Sequence, residues 1–422
     1  MTGNTRPRRQ LASVRRYDII YLNKQNPVTV AWWSASFPGF GHLLLFKNTT
    51  GVILTLSEVI INTLAHINEA MVYTFCGKFE MATQAIRPLW MYGYLIIYFF
   101  AIWDSYRCCV EANKLYDLAE REQVKLSPLL MKSTGIQNLE KKRPLTAALC
   151  SLAFPGLGQI YNQHIWLGIY GLIWWWIYIS FSHSYEGFLA MLNGHNDEVS
   201  AILQPQWLMF MPSVIGGAIY HSFYSARAQN RLFRLEQRSF LSKNYYSVAY
   251  SVQQTVQGGD SSLWIVGTFE HSTELEQALS LLEHKGIERS RIVPILMNSS
   301  KENGSVTSGP PSDRTMKAVE LGMALATACG VIGISRGFIL EWGPIIWGII
   351  SAVCGFLVGF SLFLLFTPRS GHSLGKLPKR MPEVTLMIQC RQEEASSIQD
   401  ILWLHKAISV GVTPTSQIQH SS

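Results

Sequence analysis

Polar side chains inside apolar stretches are where this sequence has the means to do chemistry. Asp104, His221, Glu58, His42 and Gln159 all lie in or beside long, largely uncharged runs. A charged group at the centre of a bilayer helix costs about 3 kcal/mol on insertion scales, so such residues pair, reach water, or line an ion or solute path. An internal repeat, set out below, makes Asp104 and His221 equivalent positions. They read as helix-anchoring groups that reach the interface, as a structural Asp–His pair, or as members of a proton or ion relay. Glu58 reads as a paired or snorkelling carboxylate, with a polar cavity as the alternative. His42 and Gln159 follow two broken apolar segments, and either hydrogen-bond the freed backbone or face a shared cavity. No metal site, cofactor or catalytic residue is expected. The chain has no phosphate-cradling loop, dinucleotide fingerprint, Gly-x-Ser-x-Gly or His-Glu-x-x-His. Its 7 cysteines are odd in number, lack a Cys-x-x-Cys and sit mostly in apolar segments, so they read as small apolar fillers.

The elements that must hold these groups are apolar runs at 28–46, 51–67, 88–110, 145–161, 165–181, 207–225, 317–335 and 343–366. In 422 residues, 48% are hydrophobic and only 15% charged, which excludes a disordered chain and disfavours a purely soluble one. Basic residues concentrate in three segments: Arg6, Arg8, Arg9, Arg15, Arg16 and Lys24; Lys114, Arg121, Lys125, Lys132, Lys141, Lys142 and Arg143; and Arg227, Arg231, Arg234, Arg238 and Lys243. Segments 68–86 and 184–205 hold almost none. The positive-inside rule then puts the basic segments in the cytoplasm and the other two outside. Between two cytoplasmic segments the number of crossings is even, so one run in each group of three does not span. The misfits are 28–46 and 145–161, broken by Pro38, Gly39 and Gly41 and by Pro155, Gly156 and Gly158. Both are expected as re-entrant or interfacial hairpins, with a kinked full span as the competing reading. Six crossings with both termini inside follow. The net charge of +7 is then spent on anionic lipid headgroups and not on nucleic acid.

A shift of 117 positions lays 27–115 on 144–232 without a gap. It pairs Pro27 with Pro144, Ser34 with Ser151, Phe37-Pro38-Gly39 with Phe154-Pro155-Gly156, Gly41 with Gly158, Gly51 with Gly168, Pro88 with Pro205 and Ser105 with Ser222. Each copy starts and ends on the cytoplasmic side, so the copies are parallel repeats about an axis along the membrane normal. The stretch from Pro144 through Phe154-Pro-Gly-Leu-Gly-Gln-Ile-Tyr-Asn162 to Gly168 resembles a Pro-Gly-Leu-Gly-Gln-x-Tyr segment of small bacterial two-helix membrane proteins. The resemblance implies membrane residence and little chemistry. The first copy departs from it, with His42 for the Gln and Leu44 for the Tyr.

The C-terminal third alternates between classes. After a polar linker at 244–262 come a strand at 263–269, a helix capped by Ser272 with Leu275, Ala278, Leu279 and Leu282 on one face, and a strand at 291–297 that Pro294 marks as an edge. A flexible link at 299–316 leads into a transmembrane hairpin at 317–366, with Gly355 and Gly359 as helix-packing positions. A strand at 383–390, a helix at 393–405 and a strand at 408–412 follow. This is the ferredoxin-like βαββαβ order, interrupted by a hairpin. It resembles bacterial membrane-anchored stress-protein-like domains and the small subunit of alternative quinone-linked complexes, and implies interaction or regulation.

The expected fold is therefore mainly α and polytopic: a duplicated helical module plus a small α+β ferredoxin-like cytoplasmic domain interrupted by a transmembrane hairpin. The expected divisions are a basic N-terminus (1–25), repeat 1 (26–115), a cytoplasmic linker (116–142), repeat 2 (143–243), a linker (244–262), half of the α+β domain (263–298), a link (299–316), the hairpin (317–366) and the other half domain (382–414). The expected role is a non-enzymatic anchor in the bacterial cytoplasmic membrane, with the lipid bilayer, a protein bound at the α+β domain and a second copy as partners, and no nucleic acid. The alternative is a transporter or channel with its path between the repeats.

Overall fold

Prolines and glycines punctuate the chain, and the helices of the computed structural model start and stop on them. It describes residues 11–15, 17–122, 129–132, 135–246, 263–297, 312–367 and 382–414. Arg6, Arg8, Arg9 and Arg16, most of the linkers 244–262 and 299–316, and the basic stretch 369–380 lie outside the described residues. The described part is mostly helical and divides into two units. The first holds 1–138, 142–228 and 311–369; the second holds 139–141, 229–310 and 370–422.

The first unit opens with a hairpin, β1 (Ala12–Arg15) and β2 (Asp18–Tyr21), where only a basic tail was expected. Buried Ile19 and Tyr21 explain it: alternate residues of β2 face the protein. Then come α1 (Pro27–Ser36), α2 (Phe40–Leu44), α3 (Asn48–Ala65), α4 (Ile67–Phe75), α5 (Phe79–Ala85) and α6 (Pro88–Glu122). Asn26 caps α1 by accepting from the Val28 N–H at 3.0 Å, and Pro27 fills the first helical turn, where no N–H is needed. A second hairpin, β3 (Leu129–Lys132) and β4 (Gly135–Asn138), lies within the expected linker.

The next elements are α7 (Pro144–Ala153), α8 (Leu157–Tyr161), α9 (Ile165–Ser182), α10 (Ser184–Leu192), α11 (Asn196–Ile202), α12 (Pro205–Leu208) and α13 (Met211–Leu241). From Pro144 to Ile202 every helix boundary falls 117 residues after its counterpart. The left-handed residues do so too: Gly39 and Gly156, Phe46 and Gln163, His66 and His183, Gly77 and Gly194. At Gly39 (φ 100°) and Gly156 (φ 115°) a side chain would meet the carbonyl oxygens of Gly51 and Gly168, so only glycine closes this turn. The copies part where α6 runs unbroken but α12 stops and α13 restarts at Met211-Pro212. Leu95 occupies the corresponding place in α6, and only proline lacks the N–H a continuous helix needs.

The hairpin helices α15 (Ser312–Gly337) and α16 (Gly343–Phe366) complete this unit; α14 (Thr273–His284) belongs to the second. A side chain at Gly355 would meet the Leu325 oxygen at 2.7 Å, and one at Gly359 the Leu321 oxygen at 2.8 Å. These two glycines therefore let α16 pack on α15 of the same chain. The hairpin also joins the repeats. Cys76 Sγ donates to the Ser335 oxygen at 3.1 Å, and the Tyr220 hydroxyl to Glu320 at 3.3 Å.

Among the described residues, three helices are long and apolar enough to cross a membrane: Ile165–Ser182, Thr315–Gly337 and Gly343–Phe366. Five qualify if the bent pairs Asn48–Ala65 with Ile67–Phe75 (64°) and Phe79–Ala85 with Pro88–Glu120 (87°) each count as one span. These helices mark membrane association. The run 207–225, expected as a crossing, is not among them, because it is split between α12 and α13 and carries Ser213, His221, Ser222 and Ser225, all buried. Residues 211–230 include no exposed position, so these polar groups face protein. Neither α1 nor α7, at 10 residues each, approaches the roughly 20 residues a span requires.

The second unit is a four-stranded antiparallel sheet of β5 (Leu263–Phe269), β6 (Ile292–Leu296), β7 (Val384–Cys390) and β8 (Ser409–Pro414) in the order β6-β7-β5-β8. Helices α14 (Thr273–His284) and α17 (Ala395–Leu404) cover one face. Ile265, Phe269, Leu386 and Ile388 of the sheet share a core with Leu275, Leu279, Leu282, Ile398 and Leu402 of the helices. Gly267 admits α17, since a side chain there would meet the Leu402 methyl at 2.9 Å. Strands β6 and β7 pair from Ile292 with Ile388 to Leu296 with Val384, although the hairpin α15–α16 lies between them in sequence.

Candidate functional site

Helix α2, the turn after it and the inward face of α6 bring the first group of polar residues together. His42 Nε2 lies 3.1 Å from Asp104 Oδ2. Arg107 donates from Nη2 to Asp104 Oδ1 at 2.5 Å, one helical turn on. Cys108 Sγ is 3.5 Å from Asp104 Oδ2 and receives Lys47 Nζ at 2.8 Å. His42, Asp104 and Cys108 are all buried.

Shifting by 117 turns His42, Lys47, Asp104 and Cys108 into Gln159, His164, His221 and Ser225, and the second group has other chemistry. Gln159 donates to the Ala218 oxygen at 2.9 Å and accepts from Ser151 Oγ at 3.2 Å, which satisfies backbone and hydroxyl. His164 Nδ1 faces the Asp18 carboxylate, and its Nε2 lies 3.1 Å from Ser225 Oγ. That is the connectivity of a Ser-His-Asp triad. Ser225 is only 2% exposed, however, and the Tyr21 hydroxyl stands 3.0 Å from its Oγ. The chain Asp18–His164–Ser225–Tyr21 therefore pins the β1–β2 hairpin to α13, with no room for a substrate at the hydroxyl. Sequence patterning alone did not flag it, because Asp18 and Tyr21 lie outside the repeat.

Asp104 and His221 do not meet. Asp104 pairs with His42 and Arg107, while the His221 ring stands edge-on to His164 at 5.7 Å. His221 Nδ1 is buried without a hydrogen-bond partner. It lines a cavity of about 70 Å³ between the repeats, with Trp33, Phe40, Thr55, Gln159 and Tyr170 among the walls. Trp174 and Tyr178 stack at 5.5 Å and face this cavity, whereas Trp176 is exposed. Glu58 is not in the wall. It accepts from Asn62 at 2.9 Å, and Asn62 and Asn68 bond Gln206 of the second repeat, so Glu58 ends a polar bridge between the copies.

The six hairpin residues Pro38, Gly39, Gly41, Pro155, Gly156 and Gly158 all lie at or just after the α1–α2 and α7–α8 breaks. Position-by-position identity also holds at His66 and His183, Glu69 and Glu186, and Gly77 and Gly194. The histidine–glutamate pairs close at 3.0 and 3.4 Å. The signal for them was in the sequence, at the same shift.

In the second unit, Gln237 fixes the state of one histidine. Its amide nitrogen donates to the Ser272 oxygen and to Glu276, so its oxygen accepts from His271 Nδ1 at 2.8 Å. Arg238 Nε donates to His271 Nε2 at 3.3 Å. Both contacts require a neutral ring, and burial pushes the His271 pKa down to about 4.

Fold and site together define a helical, membrane-associated protein carrying a small α+β unit. Residues 140–251 match a family model described as "Family of unknown function (DUF5683)". The match takes in Gln159, His164, His221 and Ser225 but none of their counterparts in the first copy. No curated protein and no solved structure matches the chain.

Proposed function

We propose that this is a multi-pass protein of the bacterial cytoplasmic membrane whose duplicated helical module anchors a ferredoxin-like domain at the cytoplasmic face, where that domain serves interaction or regulation and not catalysis. One observation carries the reading: β6 and β7 are hydrogen-bonded neighbours, yet the apolar hairpin α15–α16 is threaded between them. A domain tied through adjacent strands to two spans cannot leave the membrane without extracting both. The strand order β6-β7-β5-β8 with both helices on one face supports the ferredoxin-like assignment. The resemblance of the Pro-Gly segments to bacterial two-helix proteins supports the bacterial assignment, and the short α1–α2 and α7–α8 pairs support re-entrant hairpins. The basic segments support cytoplasmic termini.

The test is fractionation of residues 229–422. That fragment should sediment with membranes. The same fragment with 298–381 replaced by a short turn should be soluble and folded, because Met297 N–H already bonds the Glu383 oxygen at 3.0 Å and a tight hairpin suffices. A soluble parent fragment would refute the tether.

A second reading, a solute path between the repeats, is favoured by the cavity that both copies line and by the unpartnered His221 Nδ1 within it. Liposomes containing the protein should then pass a small solute, and His221→Leu or Gln159→Leu should stop the flux. No flux with any of a panel of ions and small solutes would remove this reading.

A further inference from the structure

The polar group of the first repeat has the makings of a metal site. We propose that His42, Asp104 and Cys108 bind a divalent transition metal of zinc type.

The three side chains offer one nitrogen, one carboxylate oxygen and one sulfur, all within 4.8 Å of one another. Tetrahedral zinc, about 2.0–2.1 Å from nitrogen and oxygen and 2.3 Å from sulfur, separates its nitrogen and oxygen ligands by roughly 3.3 Å and its oxygen and sulfur ligands by roughly 3.6 Å. The observed separations are 3.1 Å from His42 Nε2 to Asp104 Oδ2 and 3.5 Å from that oxygen to Cys108 Sγ. Two of the three ligand separations are thus those of a tetrahedral site. A mixed nitrogen, oxygen and sulfur set is too soft for magnesium or calcium and suits zinc or cobalt.

Two further observations point the same way. His42 is fully buried, and its Nε2 is the ring nitrogen turned toward Asp104. The neighbouring cations also act from outside the ligand set. Arg107 holds Asp104 by Oδ1 and leaves Oδ2 to the site, and Lys47 donates to the Cys108 sulfur at 2.8 Å. Such outer contacts orient ligands in metal centres. On binding, the Cys108 thiol gives up its proton to water and the sulfur becomes a thiolate ligand. The second repeat supplies its own control: Gln159, His221 and Ser225 at the same places offer no thiol and no carboxylate.

The site stands whether or not the tethering role does. Full-length protein in detergent, stripped with a chelator, is titrated with cobalt alone. The result expected is one cobalt per chain with a thiolate-to-cobalt charge-transfer band, displaced by zinc. Cys108→Ser should abolish the band, His42→Gln and Asp104→Asn should weaken binding at least about tenfold, and Cys109→Ser should leave it intact. Failure of the unaltered protein to bind cobalt stoichiometrically, or a band that survives Cys108→Ser, overturns the proposal without reference to how any variant folds.

Discussion

The two repeats share a backbone and differ in chemistry. From Pro27 to Ala85 and from Pro144 to Ile202 the helices start, stop and turn at the same positions. At the four places where side chains converge below the turn, one copy has histidine, lysine, aspartate and cysteine, and the other has glutamine, two histidines and serine. The first set holds charge: an Asp104 carboxylate between His42 and Arg107. The second has no carboxylate of its own and borrows one from Asp18 of the N-terminal hairpin. Backbone turns are fixed by φ and by close approach, which few residues satisfy, whereas a buried polar group needs only some partner. Duplicated scaffolds therefore keep glycines and diverge in polar clusters.

The sharpest test of the shared backbone is the glycine turn. Gly39→Ala and Gly156→Ala should each cost on the order of 2–5 kcal/mol, from left-handed strain plus a collision with carbonyl oxygen. Chemical denaturation in detergent measures both. A large loss in one copy and none in the other would break the equivalence.

The α+β unit shows how a single fixed proton reads out. His271 has a pKa of about 4 in the fold against 6.5 ordinarily, because burial disfavours its charge. Between these values the unfolded chain takes up a proton that the folded chain refuses. Stability is therefore full above about pH 6.5 and falls, by up to a few kcal/mol, as pH drops toward 4. Glu236, pushed up to about 7 by burial and by Glu276, acts with the opposite sign, since its contribution is lost as pH rises from 4.5 to 7. The difference between His271→Gln and the parent in thermal midpoint against pH isolates the histidine. A flat difference from pH 7 to 4 would contradict the neutral-ring network.

The contrast in charge predicts unequal costs for equivalent truncations. His42→Ala removes a partner from a buried carboxylate and should cost about 1–3 kcal/mol, and Gln159→Ala, which frees neutral groups, should cost about 1 kcal/mol. Equal losses in denaturation would remove the distinction between the clusters. The smallest effect concerns the seam. Tyr170→Phe deletes the hydrogen bond with Thr55 across the repeats and should cost about 0.5–1.5 kcal/mol, read as a small shift in thermal midpoint.

Much of this architecture is legible in the sequence. Strand β5, helix α16 and the Pro-Gly breaks follow from short-range rules, in which apolar runs, caps and breakers act within a few residues. The apolar face Leu275, Ala278, Leu279 and Leu282 does too, since helical period alone specifies it. The N-terminal hairpin β1–β2 was hidden, because Ile19 and Tyr21 gain burial from partners far along the chain, such as Ser225. The site was half legible. His42, Asp104, Gln159 and His221 stood out as polar groups in apolar runs, and Cys108 looked like filler. The pairing of Asp104 with His42 instead of His221 depends on the turn at Gly39, which swings His42 onto α6. Symmetry of sequence positions carries no information about such a contact.

Sidedness is the most direct test of the central claim, that basic segments and the α+β domain share the cytoplasmic face. Single cysteines at positions 75, 130, 195 and 250, in a chain otherwise free of cysteine, are treated in intact cells with a membrane-impermeant maleimide. Labelling at 75 and 195 with protection at 130 and 250 until the cells are opened is the predicted result. Labelling of 130 or 250 from outside would contradict it.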